Sequence, residues 1–133
     1  MAPEQTFAQV AEGVRAAIAS YTHALDDGRT DELIATFCPD SSCDMPGLGR
    51  HAGHAELREA YGRWMPSRPQ RHLVVNTLLT RWDDHEAHAT SDFVLLLKSD
   101  AVWGVQVVGR YHDVLHRDGG SWRFHSRVAE LIS

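Results

Sequence analysis

The sequence predicts an α+β domain, with helices packed on one face of a curved sheet. Two observations carry this. Apolar residues recur at helical spacing through the first half of the chain, and the second half holds four stretches rich in β-branched and aromatic residues. Helices first and strands afterwards is the order of an α+β fold. A chain of 133 residues suits one such domain, taken as 1–133.

The first helix is marked by Phe7, Val10, Ala11, Val14, Ala17, Ile18, Tyr21 and Leu25, with Thr6 as N-cap and Gly28 as its stop. A second is expected from Thr30, capped by its own hydroxyl, to Phe37, where Pro39 ends it. Ser41 to Met45 suits a short strand, and Pro46-Gly47-Leu48-Gly49 a loop. A third helix is expected over His54 to Met65, with Leu57, Ala60, Tyr61 and Trp64 on one side. Four strands then occupy 70–82, 86–98, 101–116 and 121–132. Asp83-Asp84, Ser99-Asp100 and Asp118-Gly119-Gly120 turn between them, which predicts an antiparallel meander.

Bulk composition narrows the function classes. The formal charge is −5, the 13 basic residues are scattered, and Lys98 is the single lysine. Phosphate binding needs clustered cations, so neither nucleic acid nor an anionic membrane surface is an expected partner. The opening Met1-Ala2-Pro3-Glu4-Gln5-Thr6 lacks a signal-peptide pattern, and no apolar stretch is long enough to span a bilayer, so a cytoplasmic location is expected. Cys38 and Cys43 suit buried thiols better than a disulfide or a zinc knuckle. The spacings His51-x-x-His54 and His85-x-x-His88 match no recognised metal motif, and no metal or organic cofactor is expected.

Chemistry is carried by Asp26, near the end of the first helix, and His72, at the start of the first long strand. A carboxylate holding an imidazole in one tautomer is the usual way to make a general base near neutral pH. Strand alternation puts His72, Val74, Asn76 and Leu78 on one face, His88, Thr90 and Asp92 together, and Arg123, His125 and Arg127 together. Solvated outer faces give the same alternation, the reading preferred for His88 and Arg123. Asp26, beside Asp27, Gly28 and Arg29, also suits a solvated helix end.

The runs Tyr21-x-x-Ala24-Leu25-Asp26-x-Gly28, Phe37-x-Pro39-Asp40, Gly53-His54-Ala55-Glu56-Leu57, Arg71-His72-x-x-x-Asn76, Gly109-Arg110-Tyr111-His112-Asp113 and Gly120-x-Trp122-Arg123 follow one another in order. Together they make the chain resemble the SnoaL-like branch of the nuclear-transport-factor-2-like superfamily, from about Phe7 to Ile132. The resemblance implies a cone-shaped α+β barrel, three helices on a strongly curved, mostly antiparallel sheet.

That superfamily hosts many activities. Its lyases scytalone dehydratase and hexachlorocyclohexane dehydrochlorinase pair a first-helix Asp with a sheet His, and Asp26 and His72 are similar in position. By the same resemblance Tyr21, five residues before Asp26 as in bile acid 7α-dehydratase, is a catalytic hydroxyl, and Arg127 an anion-facing arginine. The tyrosine stands where the dehydrochlorinase has a lysine, which disfavours halide elimination. The steroid isomerases place their aspartate before a proline where this chain has Met45 and Pro46, which disfavours their mechanism.

The implied function is a cofactor-independent lyase or isomerase, dehydratase-like, in which His72, Asp26 and Tyr21 carry proton abstraction. Asn76 would orient the substrate, Arg127 would face it, and Asp92 and His112 would be outlying polar groups. Trp64 and Phe93, with Phe7 to Tyr21, Met65 and Trp103, would wall a pocket for an apolar or aromatic small molecule. A homo-oligomer, dimer or trimer, is expected, with Trp103, Val105, Val107 and Tyr111 a possible interface. The alternatives are a non-catalytic ligand-binding or scaffold module, or a relative of the polyketide cyclases and epoxide hydrolases of this fold.

Overall fold

The computed structural model describes residues 4–133, so Met1-Ala2-Pro3 of the opening segment lie outside the described residues. Helix α1 (Phe7–Asp26) starts at a full capping box. The Gln9 backbone N–H donates to the Thr6 hydroxyl, and the Gln9 side chain accepts from the Thr6 N–H at 2.9 Å. Its buried stripe runs Val10, Val14, Ile18, Tyr21, Leu25, the spacing that the sequence predicts. Gly28, at φ 72°, supplies the left-handed residue that ends it.

Helix α2 (Thr30–Ile34) is a single turn, shorter than expected, and its N-cap is Arg29 without a side-chain cap bond. The Thr36 hydroxyl closes on the Leu33 carbonyl at 2.6 Å, and the Thr36 carbonyl accepts from the Phe124 N–H at 2.8 Å, so the chain is captured by the sheet before a further turn can form. Strand β1 (Phe37–Met45) therefore begins earlier than expected and contains Pro39. Its parallel pairing shifts between Phe37 and Ser42, so the proline, with no N–H to donate, falls where the ladder is interrupted. The Pro46-Gly47-Leu48 segment is a hairpin turn leading to the unexpected β2 (Gly49–Ala52), with α3 (Gly53–Arg63) following.

Strands β3 (Gln70–Trp82), β4 (Glu86–Ser99), β5 (Val102–Asp118) and β6 (Ser121–Leu131) form the antiparallel meander. The sheet has six strands in the order β2-β1-β6-β5-β4-β3, parallel only between β1 and β6. Helix α1 packs on β3, β4 and β6, so the sheet curls around it, and α3 covers β1 and β2. The main core gathers Val14, Ile18, Tyr21, Leu33, Phe37, Leu57, Tyr61, Leu115 and Phe124.

Register shifts break the alternation of the meander in four places, one of them between Leu79 and Arg81 near the end of β3. The β3–β4 register shifts between Val75 and Leu78, where Asn76 has φ 56°; inward residues change from Gln70, His72 and Val74 to Thr77 and Leu79. The β5–β6 register shifts at His125, so Phe124 and Arg127 both point inward. The β4–β5 register shifts between Leu95 and Leu96, leaving Gln106 unpaired.

Gly109 lets β5 approach its neighbours closely. A Cβ there would stand 2.4 Å from the Phe93 ring and 2.7 Å from the Glu130 carbonyl oxygen. Replacement by alanine should therefore overpack the site and lower stability by about 1–3 kcal/mol. Chemical denaturation of Gly109→Ala beside the parent chain measures this, and unchanged stability would contradict the packing described.

Candidate active site

Asp26 is buried at the end of α1 because that helix packs on the start of β3. Its carboxylate collects three hydrogen bonds from two strand residues. The His72 backbone N–H donates to Oδ2 at 2.6 Å, His72 Nδ1 lies 2.6 Å from Oδ1, and Gln70 Nε2 donates to Oδ1 at 3.0 Å. Burial pushes the Asp26 carboxyl up, but the bonds from His72 and Gln70 outweigh it and hold the group below its usual range. The ionised carboxylate can only accept, so the shared proton belongs to His72 Nδ1, and in the neutral ring the lone pair is then on Nε2.

His72 and Gln70 face a cavity of about 240 Å³. Leu25, Met45, Leu48, Trp64, Phe93, Leu95 and Val107 give it a largely apolar lining. Phe93 stacks on Tyr111 with centroids 4.2 Å apart and an interplanar angle of 21°, making one flat wall. Tyr21, Tyr61 and Tyr111 line the same cavity, and the Tyr21 and Tyr61 hydroxyl oxygens are 2.7 Å apart. Burial raises Tyr21 above its ordinary value despite Arg127 and the Tyr61 hydrogen bond, so it remains a protonated donor at neutral pH. A larger groove of about 360 Å³ runs between α1 and the β5–β6 turn, but Arg123 is the one ionisable side chain among its lining residues. The histidine and the tyrosines gather at the smaller cavity.

Of the residues singled out in the sequence, His72, Tyr21, Trp64 and Phe93 line the cavity, and Asp26 joins them from outside it through its bond to His72. Four others do not line the cavity. The bulge turns Asn76 to the exposed face, where its Nδ2 lies 3.4 Å from Asp92 Oδ2. Asp92 accepts from Arg110 Nε at 2.7 Å on the outer face, and His112 is exposed beside Glu130 at 3.4 Å. Arg127 is fully buried behind the tyrosine wall. Its Nε and Nη2 donate to Asp113 at 2.9 and 3.2 Å, and its Cζ sits 3.5 Å from the Tyr111 ring centroid and 4.2 Å from that of Tyr21.

Of the expected walls, Phe7 packs on Trp82 with ring centroids 6.1 Å apart, Trp103 is exposed, and neither they nor Met65 line the cavity; Met45, not expected there, does. Val107 and Tyr111, expected at an interface, face the cavity instead. Asp44 is exposed.

Gln70, Tyr61, Tyr111 and Asp113 were not singled out as site residues. Gln70 shares a strand face with His72 two residues on, and Tyr61 stands one helical turn before Trp64, so period alone carried both signals. Tyr111 and Asp113 alternate on one face of β5. Among the described residues no group of three or more His, Cys, Asp or Glu side chains is placed to hold a metal ion. His51 and His54 bond instead to the Leu48 and Phe37 carbonyl oxygens, and His88 to Glu86. Cys38 and Cys43 are buried free thiols, and burial pushes Cys43 up to about 11. No helix among the described residues is long and apolar enough to cross a membrane.

Helices on a curled, mostly antiparallel sheet, enclosing a cavity with an acid–imidazole pair in its wall, define the class of small α+β cavity proteins. The SnoaL-like domain profile matches residues 8–128, and the chain belongs to that family, within the nuclear-transport-factor-2-like superfamily. No curated protein matches the chain.

Three solved structures show the shared fold. A scytalone dehydratase candidate from Novosphingobium aromaticivorans is 19% identical with a TM-score of 0.80, over 92% of this chain and 83% of that one. An NTF2-like protein with a cystatin-like fold from the same organism is 20% identical with a TM-score of 0.82, over 92% and 81%. ActVI-ORFA from Streptomyces coelicolor is 22% identical with a TM-score of 0.81, over 92% and 96%.

The depressed Asp26 pKa makes a stability prediction with a definite sign. A carboxyl lowered by folding contributes stability above its unfolded value, about 3.9, and loses it as pH falls through the folded value. The stability difference between the parent chain and Asp26→Asn, from urea melts at several pH values, should thus be constant above about pH 5 and narrow below about pH 4. A difference that does not change with acid would contradict the ionised, hydrogen-bonded Asp26.

Proposed function

We propose that the chain is a cofactor-independent lyase or isomerase acting on an apolar or aromatic small molecule. The observation that carries this is the 2.6 Å contact that Asp26 makes with His72, which itself lines a mostly apolar cavity. A helix-end carboxylate with no catalytic task is normally solvated, whereas this one is desolvated and spends its bonds orienting an imidazole.

In this reading His72 Nε2 removes a proton from a carbon beside an electron-withdrawing group. The C–H bond breaks, its electron pair moves toward that group, and the proton joins the imidazole. Asp26 holds the Nδ1 tautomer and stabilises the imidazolium. Tyr21 donates to the oxygen on which charge develops. The proton then leaves with a departing hydroxyl as water, in elimination, or returns to another carbon, in isomerisation. The structural relation to a scytalone dehydratase candidate supports elimination. Among the described residues no carboxylate lines the cavity, so nothing there supports a paired-carboxylate route to hydrolysis.

A homo-oligomer is part of the same reading. Leu73, Val75, Val108 and Val128 leave apolar side chains exposed on the outer face of β3, β5 and β6, the face that a second copy would cover. Sedimentation equilibrium should give a dimer or trimer mass, and a monomer at micromolar concentration would remove this part.

Turnover of a panel of β-hydroxy ketones and polyketide-like aromatics, followed by loss of the substrate chromophore, should fall about 10²–10⁴-fold in His72→Ala. Activity that survives His72→Ala unchanged would rule the mechanism out. A chain that binds these molecules but turns over none of them would favour a ligand-binding module.

A further inference from the structure

We propose that Gln70 selects ligands that carry a hydroxyl, by holding a fixed amide oxygen toward the cavity beside the His72 ring. Such selection names the substrate group within the function proposed above. It rests on the cavity being the ligand site, not on His72 being the base.

The direction of the amide is set by Asp26. Gln70 and His72 stand two residues apart on the inner face of β3, and their side chains converge on one oxygen, Asp26 Oδ1, at 3.0 and 2.6 Å. The ionised carboxylate only accepts, so the end of Gln70 that meets it is the NH2 group. A flipped amide would set two oxygens against each other. Oε1 therefore points away from Asp26 and cannot exchange places with the nitrogen.

That oxygen is unspent. Gln70 is 8% exposed, yet among the described residues no N–H or O–H donates to its Oε1, and the one bond of its amide is the donation to Asp26. The buried polar atoms sealed without a partner are Ser41 Oγ, His125 Nδ1 and Arg127 Nη1, and Gln70 Oε1 is not among them. It opens onto the cavity that Gln70 lines. A ligand entering this mostly apolar space displaces water from the oxygen and must replace it with a donor or leave the acceptor bare.

The donor that fits is a hydroxyl. A ketone, ether or carboxylate oxygen offers Oε1 only lone pairs, whereas an O–H donates to it and keeps lone pairs of its own. Because Gln70 and His72 meet at the same carboxylate oxygen, a hydroxyl held by Oε1 lies close to the imidazole. In elimination the C–O bond breaks with its electron pair on oxygen, and the Nε2 proton joins that oxygen to make water. The original O–H stays bonded to Gln70, which neither gains nor loses a proton.

The test uses the intact protein with 2-indanol and 2-fluoroindane, bicyclic ligands of similar size that differ in one hydrogen-bond donor. Calorimetry reads both affinities. The alcohol should bind about 5- to 100-fold more tightly, the range for leaving one buried acceptor unpaired. In Gln70→Met, similar in length but without the amide, the advantage should vanish while the fluoride keeps its affinity. A residue that only pinned Asp26 would give another result, with Gln70→Met weakening both ligands alike.

Equal affinities in the parent chain would overturn the proposal, as would an advantage that survives Gln70→Met or binding of neither ligand. Carbon-13 resonances supply a second reading in the parent protein. The Gln70 side-chain carbonyl should shift with the alcohol and stay in place with the fluoride, which decides the matter should the variant not fold. None of these measurements involves turnover. The His72→Ala test of the base therefore stands or fails separately.

Discussion

The Asp26 carboxylate is the joint on which both fold and site depend. It stands at the last turn of α1 and receives hydrogen bonds from the side chain of Gln70 and from both the backbone and the ring of His72. Those bonds pin the end of the longest helix to the first turn of β3, the strand farthest from β1 in the sheet. They also make the buried charge tolerable, because a carboxylate away from water needs its lone pairs occupied. The same bonds orient the imidazole, so one carboxylate serves both helix docking and the placement of the ring. Loss of its charge would leave Gln70 and the His72 backbone N–H with a weaker acceptor in a half-buried place.

The cavity is polar at its two ends and apolar between. His72 and Gln70 occupy one wall with a lone pair and an amide, while the tyrosines occupy another with hydroxyls backed by a guanidinium. Phe93 spans them, stacked on Tyr111 and 6.3 Å from the His72 ring centroid. Chemistry that moves electrons from a C–H bond toward an oxygen needs an acceptor for the proton at one place and donors for the charge at another. An apolar middle keeps water from levelling the difference. A cavity built only for packing would have been filled by larger side chains, since close packing is the default of protein interiors.

Legibility in the sequence followed periodicity. The α1 stripe, the Thr6 cap and the four long strands were all readable because each is a repeating or local signal that the structure has no reason to override. The pairing of Asp26 with His72 came from resemblance to a known family, since no spacing rule links residues 46 apart. Failures concentrate at the bulges. Asn76 and Arg127 were assigned faces by strict alternation, and one extra residue in β3 and another in β6 reversed them. Bulge positions have weak local signals: Asn tolerates the left-handed conformation that Asn76 adopts, but Asn occurs in many other settings. Short elements failed for a related reason. Helix α2 and strand β2 owe their limits to tertiary hydrogen bonds, such as Phe124 to Thr36, which propensity does not record.

The bulge in β6 has a consequence beyond register. By turning Arg127 inward it places a cation in the core, where desolvating it and Asp113 costs several kcal/mol per ion before any attraction is counted. Ion pairs of this kind are often matched or exceeded in stability by apolar residues of similar volume, so stability alone does not explain the pair. What the pair does supply is a fixed positive charge against the backs of Tyr21 and Tyr111, held rigid by a two-point bond to Asp113. A charge fixed before the ligand arrives needs no reorganisation when an oxyanion forms, and that is the property a site handling enolates requires.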